Sequence, residues 1–195
     1  MTRLIDDARS LGETGKGSPN GVALRAALIV LMTAWETYIE DVCLEAFDHM
    51  MSSVRDPTNL PHELRAKVAK AHKNPWALAG HAWREAARNE VSREVASLNT
   101  PNSSKVDELV CLSTGIQGAL GQCAWANMSA EKLADYLDEF TQIRGEIVHK
   151  GHAPGDLDVK GVRLWCEWIV RLADRLDDVI WRHLGNLSNR DEDET

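Results

Sequence analysis

Three shortages narrow what this chain of 195 residues can be. It has only four cysteines, Cys43, Cys111, Cys123 and Cys166, and no two of them stand at CxxC spacing. Neither a zinc site nor a disulfide framework is indicated, and thiols scattered on apolar helix faces read as buried, reduced groups. Long apolar runs are also scarce: the most apolar stretch, Ala26–Met32, is far shorter than the ~20 residues of a membrane span. The segment Met1–Ser10 is polar and charged and has no secretory signal pattern. A cytoplasmic protein without a membrane partner is therefore expected. Positive charge is the third shortage. Lys and Arg number 22 against 30 Asp and Glu, a net charge of −8, which argues against a general nucleic-acid binder.

Aromatic usage is lopsided, with two Tyr and two Phe beside seven Trp. A Trp can anchor a core, an interface or a stacked base, so the count alone decides nothing. Trp35, Trp165 and Trp168 fall on apolar stripes and read as core, whereas Trp76, Trp83 and Trp125 could stack RNA bases or pack in an interface or core. The charge is unevenly spread. The tail Asp191-Glu192-Asp193-Glu194 is acidic, while Arg65, Lys67, Lys70, Lys73, Arg84, Arg88 and Arg93 outnumber the acids between His62 and Arg93. That segment is either a basic binding face or an ordinary solvated helix surface.

The pattern is helical nearly throughout, and no strand period persists. A short helix is expected over about Thr2–Leu11, then a Gly-rich loop to Gly17. Ser18-Pro19 forms an N-cap signal for a long helix with Leu24, Leu28, Leu31, Trp35, Tyr38, Val42 and Met50 on one side. The chain breaks at Asp56–Pro61. Residues 62–98 read as one or two helices interrupted near Asn74-Pro75, an insertion on the rim of the bundle. Asn99-Thr100-Pro101-Asn102-Ser103 is a second break, followed by a short helix over about Lys105–Ser113. Gly115–Asn127 carries no clear period. Ser129 reads as the N-cap of a helix bearing Leu133, Tyr136, Leu137, Phe140, Ile143, Ile147 and Val148, with Gly151 as its C′ residue. Asp156 is placed to cap a final long helix ending near Leu184. The expected architecture is all-α: one domain over 1–187, with four to five core helices and the helical insertion 62–98, then an acidic disordered tail over 188–195.

Chemistry is concentrated in Ile143-Arg144-Gly145-Glu146-Ile147-Val148-His149-Lys150-Gly151. RNA carries its own nucleophile, the 2′-OH. Its cleavage needs a proton shuttle, the usual work of His, and positive charge on the phosphorane-like transition state, which an Arg fork supplies. No metal or other cofactor is required. Positions five apart point about 140° away from each other on an ideal helix. The pair can therefore cooperate only if the last turn leaves α geometry or a second protomer completes the site. The bland alternative is a dipole-favoured helix end in which Arg144 pairs with Glu146 or Asp138. His149 and His152 lack a ligand set that would complete a metal site. Gly12, Gly15, Lys16 and Gly17 lack the strand and Gly-Lys-Ser/Thr ending of a phosphate loop.

Arg144 to His149 resembles the Arg-x(4–6)-His motif of HEPN ribonucleases. Two further segments resemble the RiboL-PSP-HEPN branch in the same order: Ala34-Trp35-Glu36-Thr37-Tyr38-Ile39-Glu40 as a first core helix, and Leu98-Asn99-Thr100-Pro101-Asn102-Ser103 as its midsection. Together these landmarks cover about Gly21 to Leu184. The resemblance implies a dimeric, metal-independent endoribonuclease of toxin or antiviral-defence type, with a possible antitoxin or other defence partner. Arg144 and His149 would be its catalytic pair. Lys150 and His152 would help hold the RNA backbone, with Arg65, Lys67, Lys70 and Lys73 as a second contact. Gly145 departs from the family pattern, since many members carry Asn or another polar residue directly after the Arg. Some HEPN domains are inactive and only bind a partner protein or nucleic acid, which is the rival expectation.

Overall fold

The computed structural model describes residues 19–150 and 157–193, with side chains over 21–149 and 157–186. Among these residues there are seven α-helices: α1 (Pro19–Ser53), α2 (His62–Ala71), α3 (Ala82–Ala96), α4 (Ser103–Thr114), α5 (Ala119–Gln122), α6 (Ala130–Lys150) and α7 (Val159–Asp193). The chain is all-α there, apart from an isolated bridge between Trp125 and Met128. The expected helix over Thr2–Leu11, the Gly-rich loop, the Ser18 cap, Gly151, His152 and the Asp156 cap lie outside the described residues.

α1 is the central element. Leu24, Leu28, Leu31, Trp35, Ile39, Val42, Phe47 and Met50 recur at helical spacing and are all buried. Its main packing partners are α7 on one side and α4 and α3 on the other. An 18-residue window of α1 reaches a mean hydropathy of 1.5, apolar enough by composition to cross a membrane. This exceeds the expectation drawn from Ala26–Met32 alone, because small residues and Thr extend the run. Its Leu, Met and Trp side chains are spent on the bundle core.

Local signals account for the helix ends. Asn74 Oδ1 accepts from Trp76 N–H at 3.2 Å and starts a 3-10 turn over Pro75–Leu78, which separates α2 from α3. Asn102 Oδ1 accepts from Lys105 N–H at 3.0 Å and caps α4, while Gly115 ends it at φ +85°, a left-handed position suited to glycine. Ser129 Oγ accepts from Lys132 N–H at the start of α6. At α7 the described cap is Asp158, whose Oδ1 accepts from Gly161 N–H at 2.6 Å. The segment 188–193, expected as a disordered tail, continues α7 to Asp193. No Pro or Gly follows Gly185, and extending an existing helix adds a hydrogen bond for each residue fixed.

The segment 62–98 is tied into the core. Leu64, Val68, Trp83, Ala87, Val91 and Val95 join the same buried cluster as α1. Arg84 donates to the carbonyls of Met51, at 2.9 Å, and Val54, satisfying the end of α1. Cys43 and Cys123 are buried free thiols, and burial pushes both up to about 12, so they remain protonated.

Candidate functional site

The three sequence landmarks meet in space. From α1, the buried Trp35 donates its indole N–H to Pro101 O at 3.2 Å. From α6, Asp138 Oδ1 accepts from Ser103 N–H at 2.8 Å, and one turn and a half further on Arg144 donates to Thr100 Oγ1 at 3.3 Å. The connector 99–103 is thus gripped from both sides. It also braces itself: Asn102 N–H donates to Thr100 O at 2.8 Å, and Lys105 Nζ donates to Asn99 O at 2.6 Å and Asn99 Oδ1 at 2.7 Å. Thr100 is held at φ +55°, a left-handed conformation that is unusual for a β-branched residue. Sequence reasoning marked this stretch as a break and a landmark but did not single out Thr100 as the partner of Arg144.

Arg144 is half-buried and His149 is exposed, and α6 is helical through Lys150. That regularity corrects one expectation: the last turn does not leave α geometry to bring the pair together. Five residues along a regular helix separate them by about 7.5 Å axially and about 140° in azimuth. Of the two carboxylates expected as alternative partners of Arg144, Glu146 and Asp138, the second accepts from the Ser103 amide.

Gly145 sits between them in the helix, and a Cβ added there would meet nothing within 4 Å. The helix face beside Arg144 is therefore open. Gly inside a helix weakens it relative to Ala by roughly 0.5–1 kcal/mol. Gly145→Ala is expected to raise stability by about that amount, measured by urea denaturation; a loss would mean that the space is not free.

The other candidates are dispersed. Arg65, Lys70 and Lys73 are exposed on and just after α2, but Lys67 Nζ is paired with Glu94 Oε1 at 2.8 Å. α2 packs on α3 and α4 rather than on α6, so these cations do not extend the Arg144 site directly. Arg88 pairs with Asp48, and Arg93 with Glu90, which accounts for part of the basic excess structurally. Lys150 is the last residue of α6, its side chain outside the description, and His152 lies outside the described residues. Among the three Trp considered as base platforms, Trp83 is buried, Trp76 is 84% exposed and Trp125 is partly buried. A groove of about 740 Å³ between α1 and α7, lined by Thr33, Thr37, Tyr38, Asp41, Asp177 and Trp181 among others, does not include Arg144 or His149.

The RiboL-PSP-HEPN family model matches residues 2–182, nearly the whole chain. The chain belongs to the RiboL-PSP-HEPN family. Neither a curated protein nor a solved structure matches it. HEPN domains are all-α and often dimerise, bind RNA and act as ribonucleases, though some are inactive. The described bundle has the all-α character of a HEPN domain.

Proposed function

We propose that the protein is a metal-independent endoribonuclease of toxin or antiviral-defence type, cleaving RNA by 2′-OH attack in a cleft shared by two protomers. The observation that carries this reading is the anchoring of Arg144 by Thr100, with His149 exposed on the same regular helix. One terminal guanidinium N–H of Arg144 goes to Thr100, which orients the fork and leaves its other donors for a phosphate. An exposed His is free to take the 2′-OH proton or give one to the leaving 5′ oxygen. Their divergent azimuths favour contributions from two copies of α6, which makes the homodimer part of the active unit. The products expected are a 2′,3′-cyclic phosphate and a 5′-OH. RNA is the substrate, an antitoxin or other defence protein would restrain the enzyme, and the cytoplasm is its place of action.

Cleavage of end-labelled RNA in EDTA by the wild type, with loss in both Arg144→Ala and His149→Ala, is the expected result. Absence of cleavage by a dimeric wild type, or undiminished cleavage by His149→Ala, would remove the catalytic assignment. One observation favours the rival, non-catalytic module: Arg144 is half-buried and already serves the connector structurally.

Thr100→Gly tests whether the connector positions Arg144 for cleavage. A left-handed non-Gly residue costs about 1–2 kcal/mol, and Gly returns part of that as unfolded-state entropy. The variant is therefore expected to be as stable as the wild type or slightly more so. Cleavage should nevertheless fall, up to ~100-fold, because the guanidinium loses its acceptor and its register. Unchanged cleavage by a folded Thr100→Gly protein would show that the contact does not position Arg144.

A further inference from the structure

A second site lies toward the start of α6. Trp125, Met128, Tyr136, Leu164, Trp168 and Arg171 line most of a pocket of about 400 Å³, with Glu167 at its wall. Its geometry is built by several elements. Trp125 and Met128 exchange both backbone hydrogen bonds, at 3.1 and 2.9 Å, across a turn in which Asn127 takes φ +70°. That turn presents Trp125 opposite α7, where Arg171 lies over the indole at 4.8 Å from the ring centroid. On α6, Tyr136 stands 4.7 Å from Trp165 and 5.5 Å from Trp168, centroid to centroid. Phe140 backs Trp165 at 5.1 Å.

One feature exceeds what a core cluster needs. Tyr136 and Leu164 remain 43% and 56% exposed, so a ring face and an apolar edge stay open to solvent. Trp168 is only 8% exposed, yet its indole N–H has no hydrogen-bond partner among the described residues. A buried donor without a partner is costly, but that nitrogen is closed to solvent, so Trp168 offers the pocket ring surface and not its N–H. The pocket therefore combines aromatic faces, a carboxylate acceptor and a guanidinium. This is the chemistry of a nucleotide: a flat base with donors and acceptors on its edge, joined to a phosphate.

We infer that this pocket binds one nucleobase of a single-stranded RNA, stacked against Tyr136, with Arg171 placed for the adjoining phosphate. The inference rests on the ribonuclease reading for its substrate class and deepens it. Tyr136 precedes Arg144 by eight residues, about 12 Å along the helix axis. A base seated here would hold a strand whose neighbouring nucleotides pass toward Arg144, making the pocket a determinant of cleavage position.

The test is titration of His149→Ala protein, which cannot turn over substrate on the reading above, with short single-stranded RNA, the same strand made abasic, and nucleoside monophosphates. Tryptophan fluorescence and anisotropy are the readouts. Adding Tyr136→Ala is expected to weaken binding of the intact strand about tenfold, with little effect on the abasic strand; Tyr136→Phe should keep the affinity. Binding of monophosphates with the same Tyr136 dependence would assign the pocket to free nucleotides as well as RNA. Circular dichroism checks that each variant is folded, and Arg171→Ala, at an exposed position, gives a second route to weakened binding.

Equal affinities for Tyr136→Ala and its parent, equal losses in Tyr136→Phe, or no binding of intact RNA would overturn the inference. So would a changed oligomeric state without a changed RNA affinity, which would make this face a contact between copies. Wild-type cleavage in EDTA keeps the two readings apart. Tyr136-dependent binding without cleavage leaves the pocket standing and removes the catalytic reading. Cleavage with Tyr136-independent binding does the reverse.

Discussion

His149→Ala is expected to lower RNA cleavage by about 10²–10⁴-fold, the range for removal of a positioned general acid or base. Its effect on folding should be small, because His149 is exposed on the last described turns of α6 and surface substitutions usually stay within about 0.5 kcal/mol. Arg144→Ala should cost a comparable factor through loss of transition-state charge stabilisation, with some destabilisation from the lost Thr100 contact. The two variants also locate the pair. If each cleft takes its Arg from one protomer and its His from the other, a mixed dimer has one doubly altered cleft and one intact cleft. Random mixing of the inactive variants then restores about one quarter of wild-type activity, since half the dimers are mixed and each has one of two clefts. No recovery on mixing, with exchange of subunits confirmed, would place both groups in one chain.

The all-α architecture was legible from periodicity because the apolar stripes are long and uninterrupted. The stripe from Leu24 to Met50 faces the core throughout α1. Breaks with their own chemistry were also readable: Asn74-Pro75 starts a turn, the break at 99–103 precedes α4, and Ser129 begins α6. The residues 119–122 were not, since a helix of one turn has no period to detect. The candidate site was legible only as a pair. Arg144 and Thr100 are 44 residues apart, and nothing local to either marks the other. Likewise, nothing local to Asp138 marks the Ser103 amide that its carboxylate accepts. The pocket around Tyr136 depends on three segments, 125–128, α6 and α7, so its Trp residues read individually as core or platform.

Trp35→Ala is expected to destabilise the domain by about 3–5 kcal/mol, the usual cost of emptying a large buried aromatic site. The ring is 1% exposed and stacks on Tyr38 at 5.5 Å. The Tyr38 hydroxyl, with one proton to give, lies 2.9 Å from both Ala173 O and Asp177 Oδ1, joining α1 to α7, and burial first and then Asp177 hold its phenol well above the ordinary value. A cavity at Trp35 therefore loosens the main interface of the bundle as well as the grip on Pro101. Trp35→Phe divides the two effects. It keeps most of the packing but leaves the buried Pro101 carbonyl without its donor, a loss of roughly 1–3 kcal/mol. Because Pro101 adjoins the Arg144 anchor at Thr100, the Phe variant should lose cleavage beyond what its folded fraction explains, measured below its unfolding transition. Activity that merely tracks the folded fraction would reduce the Trp35–Pro101 bond to a core contact. A disproportionate loss would connect the central helix to Arg144 through three consecutive links: Trp35 to Pro101, Pro101 to Thr100, and Thr100 to Arg144.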